Sequence, residues 1–189
     1  MKQHDNVTID VFKDSVTPFA SLEYVIEGIE RVRQYAGRIA IHNIGTEYFL
    51  DPDMCDVQSS KDIDWPESSA DLIIVASSRR LSNKDPLGGK AWVRDGKTPL
   101  GKRLSITRIT SPEQTALAVE HEIGHMLTVA RRGAKTDGSG HCVDSDCSMY
   151  WKPKMHACAC TVCADQYAAQ SAYIVDLKNG KRAPSLLLY

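Results

Sequence analysis

The chain has no long apolar run. Its longest aliphatic stretch is Leu72-Ile73-Ile74-Val75-Ala76, far short of the roughly 20 residues that a membrane-spanning helix needs. The opening Met1-Lys2-Gln3-His4-Asp5-Asn6-Val7 holds no apolar signal-peptide core. A block of basic residues is missing too, and 23 Lys and Arg against 24 Asp and Glu leave a formal net charge of −1. That balance argues against nucleic acid as the main partner. No internal repeat or low-complexity tract is visible. The expectation is therefore a cytoplasmic, monomeric protein that neither enters a membrane nor binds nucleic acid. At 189 residues it is one domain, large enough to bury its own core.

What is present is chemistry concentrated in one segment. His121-Glu122-Ile123-Gly124-His125 sets two histidines four residues apart, so on a helix both imidazoles leave the same face one turn apart and can chelate one metal ion. Glu122 projects beside the pair, where it can accept a proton from a metal-bound water. The helix is legible independently. Ser111-Pro112-Glu113-Gln114 supplies an N-cap serine, a proline at the first helical position and a capping-box glutamine. At about 100° per residue, Ala116, Val119, Ile123, Met126 and Ala130 form an apolar stripe roughly opposite the histidines. The blander reading is that His121 or His125 only caps or packs.

Further ligand types follow. His141-Cys142 precedes Cys147, Ser148 and Met149, and then come Cys158, Cys160 and Cys163. In this order the chain resembles the archaemetzincins, minimal zinc peptidases of the metzincin clan. Their pattern is HExxH, a third histidine followed at once by cysteine, C-x4-C-x-M, and later C-x2-C. The resemblance covers residues 121–163. It implies a catalytic zinc on His121, His125 and His141, a Met-turn at Met149 beneath it, and a structural zinc on Cys142, Cys147, Cys160 and Cys163. Two Zn2+ ions per chain follow from it.

The chain also departs from that pattern. The family glycine three residues after the second histidine is Thr128 here. The compact spacing would put the third histidine at Arg131, and His141 comes ten residues later. The intervening stretch, 131–140, is basic and punctuated by glycine. Gly133 is expected to stop the helix, and a surface loop then returns the chain at small entropic cost. Asp137 is the rival third ligand.

Six cysteines in a secreted chain would suggest disulfides, but in a reducing compartment clustered thiols more often hold metal. The C-x4-C and C-x2-C pairs fit a tetrahedral four-thiolate site, although Cys158 can replace a member of the second pair. Cys55 stands alone as a packed or free thiol, and His156 reads as a surface histidine. Gly96-Lys97-Thr98 resembles the end of a phosphate-binding loop, but the first glycine of that motif falls at Ala91 and the strand-to-helix context is missing. It reads as a turn, and Gly88-Gly89-Lys90 as flexible loop.

Outside the motif the pattern is α+β. Val7, Ile9 and Val11 alternate as a strand, and Thr17-Pro18 opens a helix with apolar residues from Phe19 to Ala36 at helical spacing, closed near Gly37. Arg38 to Phe49 and Asp71 to Ser77 read as strands joined by a loop over 51–70. A hairpin turn is expected at Asp95-Gly96 between Trp92-Val93 and Pro99-Leu100. Leu104 to Ile109 is another strand, and Ala164 to Leu177 a helix ended at Asn179-Gly180. The predicted architecture is a single metzincin-like domain. Residues 1–130 form a twisted mixed sheet backed by two helices with the HExxH helix. Residues 131–189 form an irregular lower part with the third ligand, the Met-turn, the cysteine site and a C-terminal helix.

Three neutral imidazoles leave zinc dipositive with an open position for water, whose pKa then falls toward about 7. The expected activity is hydrolysis of a peptide or protein substrate by that water, with Glu122 as general base. The resemblance also implies that the substrate lies extended along an edge strand above the helix, for which the region from Gly89 to Leu100 is the candidate. A zinc-stabilised peptide-binding or scaffold protein with little or no turnover is the alternative.

Overall fold

The computed structural model describes residues 5–49, 66–79, 88–93, 103–129, 136–137 and 140–181. Its strands are β1 (Val7–Asp14), β2 (Ile39–Tyr48), β3 (Leu72–Ser77), β4 (Gly89–Val93) and β5 (Arg103–Arg108). Its helices are α1 (Leu22–Ala36), α2 (Pro112–Met126) and α3 (Thr161–Lys178), with one 3-10 turn at Phe19–Ser21. The five strands form one sheet in the order β2-β1-β3-β5-β4. Only β4, on an edge, runs antiparallel to its neighbour, pairing Gly89 with Thr107 and Val93 with Arg103.

The sheet is mixed because β1, β2, β3 and β5 are joined by crossovers, whereas β4 and β5 are consecutive in the chain and pair as a hairpin. Val7, Ile9 and Val11 of β1 and Leu72, Ile74 and Ala76 of β3 point to the helices. There they meet Leu22, Val25, Ile29 and Val32 of α1, Val119 and Ile123 of α2, and Ile174 and Val175 of α3 in one core. Each fully buried aliphatic of this size contributes about 1.5–3 kcal/mol. The alternate residues Ile73, Val75, Leu104 and Ile106 are buried on the other face, so the central strands read as continuous apolar runs.

Helix α1 ends where expected: Gly37 takes φ +64° and its N–H donates to the Arg33 carbonyl. Its start is later than expected, because the chain makes the 3-10 turn first and leaves Phe19 62% exposed against Gly45. Gly89 and Lys90 belong to β4 and not to a loop. The strand that pairs with Trp92 and Val93 begins at Arg103; Asp95-Gly96, Pro99-Leu100, Cys55 and the Gly96-Lys97-Thr98 turn lie outside the described residues. Among the described residues no helix is long and apolar enough to cross a membrane.

Candidate metal centres

Helix α2 begins as its sequence dictates, with the Ser111 hydroxyl accepting from the Gln114 N–H at 3.4 Å and Pro112 at the first position. Its end differs from expectation. The helix stops at Met126, well before Gly133, and Thr128 takes φ +60°. The Val129 N–H donates to the Gly124 carbonyl at 2.8 Å and the Thr128 N–H to the His125 carbonyl at 3.0 Å, the two bonds of a Schellman cap. Threonine therefore occupies the left-handed position that glycine favours. The Arg103 guanidinium donates to the Met126 carbonyl at 2.7 Å, satisfying one of the orphan carbonyls and placing a cation at the negative end of the helix dipole.

The helix is buried on more than one side. From Thr115 to Gly124 every residue is buried, His121 and Glu122 included at 3% and 4% exposure. The side opposite the apolar stripe is therefore covered by other elements as well. One of them is β4, which passes so close that a Cβ on Gly89 would sit 2.6 Å from Glu122 Oε1. Only glycine lets the edge strand approach the carboxylate in this way.

His121, His125 and His141 converge, each offering a ring nitrogen within 4.8 Å of the others. The Nε2 atoms of His121 and His125 stand 2.9 Å apart. On its other side His121 presents Nδ1 to the Ser148 carbonyl at 2.7 Å. A carbonyl only accepts, so Nδ1 carries the proton and Nε2 keeps its lone pair for the cluster. Such a carbonyl partner commonly orients a metal-bound histidine. Burial lowers the His121 pKa to about 4, so the ring is neutral and competent as a ligand at neutral pH. Asp137 does not join the three nitrogens. Its carboxylate accepts from the His141 backbone N–H at 3.2 Å and lies 3.7 Å from His141 Nδ1, so it supports the third histidine.

A second group gathers Cys142, Cys147, Cys160 and Cys163, with all four sulfurs within 4.8 Å of one another. The Sγ atoms of Cys142 and Cys160 are 3.8 Å apart, which matches the about 3.8 Å edge of a tetrahedron with Zn–S bonds near 2.3 Å. The Cys147 sulfur accepts backbone N–H bonds from Met149 at 3.4 Å and Cys160 at 3.3 Å. The Cys163 thiol beside it and these N–H groups hold the Cys147 pKa well below the usual thiol range, and the same contact pushes Cys163 up. A thiolate is thus already favoured within the cluster, which suits a divalent metal. Cys158 is exposed and outside the group, and the thiols of all five described cysteines are free. His156 is exposed and pairs with Glu113.

Met149 is buried, and its sulfur lies 3.3 Å from the Tyr167 hydroxyl oxygen. Both press on Gly124: a Cβ there would overlap the Met149 sulfur and stand 2.5 Å from the Tyr167 oxygen. The motif glycine is therefore a packing requirement at the turn beneath the histidines. Sequence reasoning missed Tyr167, the Ser148 carbonyl, Arg103 and Glu120. Tyr167 carried a usable signal, since it stands one helical turn after Cys163 on the same face of α3. Glu120 is fully buried, and desolvation raises its carboxyl to about 7.

No family model and no curated protein sequence matches the chain. Solved structures do. The chain is similar to archaemetzincin from Methanopyrus kandleri, with a TM-score of 0.60, 15% identity, and coverage of 89% of this chain and 97% of that one. It is also similar to metalloproteinase-II from Bacteroides fragilis, with a TM-score of 0.56, 12% identity, and coverage of 89% of this chain and 54% of that one. The arrangement of a five-stranded mixed sheet, three helices and a cysteine cluster in the lower part is an archaemetzincin-like fold.

Proposed function

We propose that the chain is a single-domain zinc metallopeptidase that hydrolyses peptide or protein substrates as a monomer. One observation carries the reading: three histidine nitrogens converge within 4.8 Å beside a buried glutamate, under an edge strand. His121, His125 and His141 would hold a catalytic zinc, and Cys142, Cys147, Cys160 and Cys163 a structural one. The histidine zinc, when bound, supplies Lewis acidity, acidifying water and polarising a peptide carbonyl.

The chain's own groups do the rest. Glu122 takes the proton from the attacking water and returns it to the departing amine, and burial strengthens each such interaction. Ser148 keeps His121 in the tautomer that leaves Nε2 available. Asp137 restrains His141 through its backbone N–H. As an edge strand of the sheet, β4 is where an extended peptide would add by main-chain hydrogen bonds, and Gly89 brings that strand over Glu122. A reducing, cytoplasmic setting suits the four thiols.

A zinc-stabilised peptide-binding or scaffold protein with little turnover remains the second reading, favoured by the 4% exposure of Glu122. Metal analysis beside peptidase assays with and without chelator separates the two. The peptidase reading expects two zinc ions per chain and chelator-sensitive cleavage. Full metal loading without cleavage of any peptide in a mixed library would favour the binding protein.

A further inference from the structure

The two ligand groups are mechanically joined, and the joints are specific. Cys147 belongs to the thiol group, and the next residue, Ser148, holds His121 Nδ1 through its carbonyl at 2.7 Å. The following residue, Met149, donates its N–H to the Cys147 sulfur and accepts the Cys142 N–H on its carbonyl at 2.8 Å. Ser148 itself is tied down by its N–H to the Cys158 carbonyl at 3.0 Å. A second joint is covalent, because His141 and Cys142 are consecutive and contribute to different groups. A third runs through α3. Cys160 caps that helix, Cys163 lies in its first turn, and one turn later Tyr167 donates to the Glu120 carbonyl of α2 at 2.7 Å. Glu120 directly precedes His121.

Each histidine but His125 is therefore set by a residue within one position of a cysteine ligand or by α3, whose start the cysteines fix. Tyr167 is fully buried and stacked on Tyr35 with ring centroids 5.8 Å apart, so its hydroxyl is rigidly delivered. With the thiol group unligated, only weak contacts such as that between the Cys142 and Cys160 sulfurs would tie these segments together, and without the folding free energy of a bound metal segment 147–149 and the start of α3 would loosen. The histidines would then lose their common focus.

Resting on the proposed metal sites, we propose that the four-cysteine group is the positioning frame of the three histidines, with Tyr167 as the positioning residue that links them, so that metal at either group strengthens metal at the other. Linkage makes this reciprocal, and couplings of this kind are typically about 5–150-fold.

The test uses the full chain and two spectroscopically distinct probes. Cd2+ fills the thiol group and is read by its sulfur-to-metal absorption; Co2+ fills the histidine group and is read by its visible bands. Co2+ affinity should be at least about fivefold tighter with Cd2+ in place than without it, and Cd2+ affinity should gain by the same factor when Co2+ is bound. In Tyr167→Phe every ligand remains and the ring still stacks, so both metals should bind while that ratio falls toward one. A merely destabilised protein would lose affinity without changing the ratio. Cys160→Ser offers a second arm, expected to weaken Co2+ although Cys160 is no histidine ligand. If Co2+ and Cd2+ bind with affinities independent of each other, or if Tyr167→Phe keeps the full ratio, the coupling is overturned while the two sites stand. If the wild type takes up neither metal, the site assignments of the proposed peptidase fall as well.

Discussion

Replacing Thr128 by glycine should make the protein more stable, and by an amount that the cap geometry sets. Thr128 sits at φ +60° as the left-handed residue of the α2 cap. A side chain with a branched β-carbon pays about 1–2 kcal/mol there, at the level typical of strained backbone sites. Glycine removes that cost but adds unfolded-chain entropy, which opposes by about 0.5–1 kcal/mol. The net gain is about 0.5–1 kcal/mol, and for a chain of this length each kcal/mol moves Tm by about 2–4 °C. Thermal unfolding of metal-saturated wild type, Thr128→Gly and Thr128→Ala would measure it. The order expected is glycine above both others, with alanine little changed because its Cβ still meets the left-handed backbone. A glycine variant less stable than wild type would refute the strain argument and show that the Thr128 side chain contributes more than its backbone costs.

Gly124→Ala should destabilise by about 1–3 kcal/mol, the usual cost of overpacking, because the new Cβ meets the buried Met149 sulfur and the Tyr167 hydroxyl; denaturant unfolding checks it, and an unchanged midpoint would contradict the packing. Glu120→Gln should act through pH. The folded carboxyl is raised to about 7 from 4.5, so the folded state holds a proton that the unfolded chain has released, and stability falls as pH rises from about 4.5 through 7. The glutamine variant should therefore gain on wild type by roughly 3 kcal/mol at pH 8 and by almost nothing at pH 4; an equal difference at both pH values would contradict this. His141→Ala should abolish metal at the histidine group while the cysteine group stays loaded, whereas Asp137→Ala should cost far less, since two histidines alone hold zinc poorly. Metal counts per chain decide it, and the reverse pattern would make Asp137 the ligand.

Much of this was legible because local signals agreed. Alternation placed β1, the continuous apolar run placed β3, and the Ser111-Pro112 cap placed α2. The order of ligand types picked out His141 across a long insertion, and the structure brings it to the other histidines. What failed was physical in origin. Propensity pointed to Gly133 as the helix stop, but the close approach of Tyr167 and Met149 at Gly124 and the Arg103 bond to Met126 belong to an end near residue 126. The burial of Glu120, His121 and Glu122 was not legible either. Tertiary cover of that kind leaves no trace in periodicity. Nor could the Ser148 carbonyl be foreseen, since any residue supplies one.

The most direct measurement is peptide cleavage by Glu122→Gln beside wild type, at matched metal content. Glutamine keeps the shape but cannot take the proton, and loss of a general base typically costs about 10²–10⁴-fold. The account predicts that Glu122→Gln retains both metals and the wild-type fold while kcat falls by that factor. Undiminished cleavage with the glutamine in place, or no cleavage by the fully loaded wild type, would contradict it.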